Sequence, residues 1–94
     1  MSTHSAEDDV VFPVYRKYPH NRTFFKVLSE AEFEELSIVG GTFTLQNFKA
    51  RIFSVRVFLH DLIYDMQSHW ESIEEGEYED MKMFCLEYME EMKV

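Results

Sequence analysis

From Thr42 to Glu75 the chain runs for 34 residues without a glycine or a proline. Nothing local interrupts this stretch, so it has to fold as long regular elements, and whatever precedes Gly40-Gly41 has to end there. Within it Leu45, Phe48, Ile52, Val55, Leu59, Leu62 and Met66 recur at alternating steps of three and four, the spacing of a helical stripe. The stretch is also rich in β-branched and aromatic residues, and Phe43, Phe53, Val57 and Phe58 fall off the stripe. Phe48, Ala50 and Ile52 alternate with Lys49 and Arg51, as residues of a strand do. We expect a strand over about 42–53 and a helix over about 56–67. The alternative is a mainly α chain with one long helix over about 44–70.

The flanking segments read more simply. VVFPVYRKY (10–18) is rich in strand formers, with Pro13 marking an edge or a bulge. PHN (19–21) is a turn, and RTFFKVL (22–28) returns as the second strand of a hairpin. Ser29 with Glu32 has capping-box spacing, and Glu30, Glu32, Glu34 and Glu35 are acids of the kind that favour a helix start. A helix is therefore expected from Ser29, with Phe33 and Leu36 on its inner face, ending before Gly40. HWESI (69–73) reads as a short strand, followed by a last amphipathic helix over about 75–92 with Tyr78, Met81, Phe84, Cys85, Tyr88 and Met92 on one face.

FFKVLSEAEFEEL (24–36) and HWESIEEGEYEDM (69–81) share a pattern 45 residues apart. Phe25 aligns with Trp70, Leu28 with Ile73, Phe33 with Tyr78 and Leu36 with Met81, and three glutamates match identically. Either the chain carries a duplicated β–α unit, or both copies follow the general rule for a strand entering a helix. RKYP followed by RTFFKVLSEAEFEEL, with the later W-x-x-I-x-x-x-E-Y-E, resembles a group of short uncharacterised bacterial proteins. The resemblance covers about a third of the chain and implies a strand–helix arrangement and a bacterial cytoplasmic setting, with no activity to transfer.

The charge of −9 is distributed unevenly. Residues 16–60 hold seven Lys/Arg against four Glu, whereas residues 61–94 hold eleven acids against Lys82 and Lys93. Such a balance argues against general nucleic-acid binding, which needs cations to neutralise phosphates. One local exception is Arg16, Lys17, His20 and Arg22, interleaved with Tyr15 and Tyr18, a combination able to grip single strands or to balance acids within its own fold. The acidic remainder equally suits mimicry of nucleic acid on a basic partner.

Candidate chemistry is sparse. The lone Cys85 excludes an intramolecular disulfide and, mid-helix among apolar and acidic residues, reads as a buried inert thiol. No phosphate loop, paired-cysteine zinc spacing or nucleophile elbow is present, and no cofactor is implied. His60, Asp61, Asp65 and His69 are the best metal candidates, since helical spacing would set three of them on one side. A solvated polar face is the alternative. No stretch approaches the roughly 18 apolar residues of a membrane span.

Residues 1–9 are expected to be a disordered tail and residues 10–94 a single α+β domain: a small, mostly antiparallel sheet with two or three helices packed on it. The chain reads as a non-enzymatic interaction or regulatory module, cytoplasmic, acting on a protein partner or on a second copy. Its contact residues would be Tyr78, Met81, Met83, Phe84, Tyr88, Met89 and Met92, because apolar residues cover more of the last helix than one core face requires. Nucleic-acid binding and a metal-dependent enzyme are the alternatives.

Overall fold

The computed structural model describes residues 10–64 and 69–92. The expected disordered tail, residues 1–9, lies outside the described residues. Six strands and two helices follow one another as β1 (Val14–Lys17), β2 (Thr23–Ser29), β3 (Glu32–Val39), β4 (Thr42–Lys49), α1 (Phe53–Tyr64), β5 (Glu71–Ser72), α2 (Glu75–Tyr88) and β6 (Glu90–Glu91). They form one mixed sheet in the order β5-β1-β2-β3-β4-β6, antiparallel throughout except where β6 runs parallel to β4. The fold is a small α+β arrangement.

The segment after Ser29 corrects the sequence reading: it is β3, and the expected helix is absent. Ser29 serves the hairpin turn, its Oγ accepting a 3.0 Å bond from the Ala31 amide. Gly40, with φ +61, then closes the β3–β4 hairpin and gives every residue from Glu32 to Val39 a partner between Lys49 and Thr42. Phe33 and Leu36, three apart, share a helix face but point to opposite sides of a strand. Both are buried because both faces of the sheet are covered. Ser29→Ala should therefore cost about 0.5 kcal/mol, a local turn bond, and leave helical ellipticity unchanged; a loss of helical signal would restore the capping role.

The same parity dissolves the long-helix alternative. Leu45 and Phe48 sit on β4, Leu45 packing with the α2-side cluster and Phe48 with the α1-side cluster. The strand ends at Lys49, short of the expected residue 53, and α1 begins at Phe53, earlier than expected. Among the described residues, Val55, Leu59 and Leu62 keep the helical stripe against the core; Met66 lies outside them. The two similar stretches accordingly fold differently, one as a β-hairpin and the other as a short strand entering α2.

Adjacent residues of β2 show the layering. Phe25 and Val27 join Phe33, Leu59, Leu62, Ile63 and Trp70 beneath α1. Phe24 joins Tyr15, Leu36, Phe43, Tyr78 and Cys85 beneath α2. The sheet thus lies between the two helices. Aromatic rings fill the α1 side, where Phe33 stacks on Phe48 at 5.1 Å and Phe58 meets Trp70 edge-on at 5.8 Å.

Candidate functional site

α2 lies across its sheet face on a row of charges. Lys17 of β1 bonds Glu77 at 2.9 Å, and Lys26 of β2 bonds Glu79 at 3.3 Å. Glu34 of β3 accepts from the Tyr78 hydroxyl at 2.7 Å and from Lys82 at 3.2 Å. These contacts fix the helix register and spend the acids of its inner edge. Burial, with the Glu34 carboxylate beside it, holds the Tyr78 phenol above its ordinary pKa.

The expected contact residues separate into two groups. Tyr78 is fully buried and belongs to the core, while Met81 and Met89 are half-buried against the same cluster. Met83, Phe84, Tyr88 and Met92 are exposed, Tyr88 by 73%. Phe84 and Tyr88, four residues apart, pair their rings at 5.2 Å on the outer side of α2. Leu86 is exposed as well. The helix ends at Tyr88 rather than near residue 92, and the chain turns into β6, after which the Met92 amide bonds the Phe43 carbonyl at 2.7 Å. Exposed Asp80, Glu87, Glu90 and Glu91 border these side chains, and the last turn of α2 contains no basic residue. On α2, Asp80 and Glu87 run between Met83 on one side and Phe84 and Tyr88 on the other, so apolar and acidic side chains alternate around its exposed surface.

The basic hairpin is largely committed to its own fold. Arg16 donates to the Leu62 and Ile63 carbonyls at the end of α1, each at 3.1 Å, and to the Tyr15 carbonyl and Ser72 Oγ. Lys17 pairs with Glu77, and His20 Nδ1 accepts the Arg22 amide. Tyr18 packs edge-on against Phe25 at 5.4 Å. Of this cluster His20 and Arg22 are exposed.

His60 is exposed on α1 with its ring 4.7 Å from that of Tyr64, Asp61 is half-buried, and His69 lies beside Trp70 after the helix. Asp65 lies outside the described residues. Among the described residues no group of three or more His, Cys, Asp or Glu is placed to hold a metal. Cys85 is fully buried, and burial raises its thiol pKa. Among the described residues no helix is long and apolar enough to cross a membrane.

Sequence reasoning missed Glu35. The sequence pattern places it in the first turns of a helix, yet it stands half-buried on the α1 side of the sheet, opposite Phe25 and Gln46. Burial raises its carboxyl pKa. The folded state therefore binds this proton more tightly than the unfolded chain, so the carboxyl's contribution to stability falls as pH rises from the ordinary glutamate range through the folded value. Glu35→Gln should stabilise the fold at neutral pH and flatten this dependence; an unchanged urea midpoint at pH 7 would count against the burial penalty.

Comparison with protein-family models, with curated proteins and with solved structures yields no match, so the account of this chain rests on its own residues.

Proposed function

We propose that the chain is a non-enzymatic interaction module that presents the outer side of α2 and β6 to a protein partner. The observation that supports this is the exposed set Met83, Phe84, Tyr88 and Met92 beside Asp80, Glu87, Glu90 and Glu91. Exposed apolar side chains interleaved with charge are a usual form of a protein contact surface. Methionine adapts to a partner's shape, and the Phe84–Tyr88 pair supplies rigid aromatic area. The complementary surface is apolar with a lysine or arginine margin.

The test is capture of partners from lysate by the wild type and by the double substitution Phe84→Ser, Tyr88→Ser. Both positions are exposed, so circular dichroism of the variant should match the wild type. The proposal requires a stoichiometric partner that the variant fails to retain and that added salt weakens. Identical capture by both proteins would remove this surface from the function.

A further inference from the structure

Helix α1 carries an exposed apolar surface of the opposite charge. Ile52, Phe53 and Val57 are exposed around its first turns, Phe53 by 78%. Exposed Arg51 and Arg56 stand among them, and no acid occurs between Ala50 and His60. Phe53, Arg56, Val57 and His60 follow one side of the helix at i, i+3, i+4 and i+7. Among the described residues the Arg56 guanidinium makes a long 3.5 Å bond, from Nε to the Ala50 carbonyl. Glu30 lines a cleft with Arg56, His60 and Tyr64 and accepts from the Tyr64 hydroxyl at 2.9 Å, which leaves Arg51 as the cation away from that acid.

Both helix ends carry charge of the sign their dipoles disfavour. The positive N-terminal end of α1 has arginines and no acid in its first turn. The negative C-terminal end of α2 has Glu87, Glu90 and Glu91 and no base in its last turn. Each mismatch opposes its helix. Because α1 and α2 cover opposite faces of the sheet, neither end can relieve the other within one chain.

Resting on the reading of the α2–β6 surface as a contact surface, we infer that its partner is a second copy of this chain: the Arg51–Val57 surface of one molecule docks on the Met83–Met92 surface of the next. Phe53 and Val57 cover Phe84 and Tyr88, and Arg51 and Arg56 meet Glu87, Glu90 and Glu91. The contact is head to tail. It joins two different surfaces, so it propagates into a chain of molecules unless the rotation per step closes a ring.

Mass in solution tests this with three proteins: the wild type, an α1 variant (Phe53→Ser, Val57→Ser) and an α2 variant (Phe84→Ser, Tyr88→Ser). All four positions are exposed, so the fold is retained. The expected result is a wild-type mass that grows with concentration beyond a dimer, or stops at a ring of three or more. Each variant alone should be a monomer, and their equimolar mixture should stop at a one-to-one pair. An α1 variant that still dimerises would overturn the head-to-tail contact, as would a mixture that stays monomeric while the wild type associates. A monomeric wild type would also overturn it. If such a monomer still captures a lysate protein that the α2 variant loses, the contact-surface reading survives; if capture is unchanged in the α2 variant, both fail.

Discussion

Tyr78→Ala should lower stability by about 3–5 kcal/mol, the range for removing a large buried aromatic side chain. That is a large share of the roughly 5–15 kcal/mol available to a domain of ordinary stability. α2 buries only Tyr78 and Cys85 completely, so the helix is held to the sheet chiefly at these two points and at its ion pairs. The Tyr78 ring lies 5.5 Å from Tyr15, and its hydroxyl donates to Glu34. Removing the side chain opens a cavity and leaves Glu34 with Lys82 alone. Tyr78→Phe keeps the packing and loses the charged hydrogen bond, for about 1.5–3 kcal/mol. A pH series separates the two losses. Unfolded Tyr78 releases its proton near pH 10, as a free tyrosine does, whereas the folded group holds it to higher pH. Stability is therefore fully present below about pH 10 and declines above it, and Tyr78→Phe should make that decline shallower. Urea midpoints across pH 7 to 11 measure both effects; equal slopes for the two proteins would refute the buried phenol.

Arg16→Met should cost about 1.5–3 kcal/mol and loosen the end of α1. No basic residue lies in the last turn of that helix, which carries the Leu62 and Ile63 carbonyls. Arg16 reaches them from β1 with two guanidinium nitrogens while a third holds the Tyr15 carbonyl and Ser72. One planar side chain thereby ties α1, β1 and β5 together. Lysine carries the charge without the fork, so Arg16→Lys should recover only part of the loss. Hydrogen exchange of the amides from Leu59 to Tyr64 reports the local effect. Unchanged protection in Arg16→Met would free this arginine for the basic-hairpin role.

What the sequence conveyed depended on how each local pattern could be satisfied. The first hairpin was legible because turn residues at 19–21 separate two β-rich runs, and Asn21 takes the positive φ of 63° that such turns need. β3 was not legible, since Ser29, Glu32 and the spacing of Phe33 and Leu36 satisfy a helix locally. They satisfy a strand only when both faces of the sheet are covered, and that covering comes from α1 and α2, more than twelve residues downstream. Glutamates 32 and 34, read as dipole partners, instead find Lys49 and Lys82 across space. The contact surface was partly visible: an excess of apolar residues on the last helix was apparent, but the assignment of Tyr78 to the core required the position of Glu34. The basic surface at the start of α1 was hidden because residues 42–53 read as a single strand, which would place Arg51 and Phe53 on a sheet.

In the proposed reading the α2–β6 surface makes contacts while the sheet beneath it serves as a scaffold. Amide chemical shifts followed through a dilution series test it most directly. The expected result is that Met83, Phe84, Glu87, Tyr88 and Met92 move with concentration, together with Arg51 to Val57, while Phe24, Leu36 and Phe43 stay fixed. Concentration-dependent shifts confined to other surfaces, or none at all in residues 83–92 with the wild-type chain alone and with its captured partner, would contradict it.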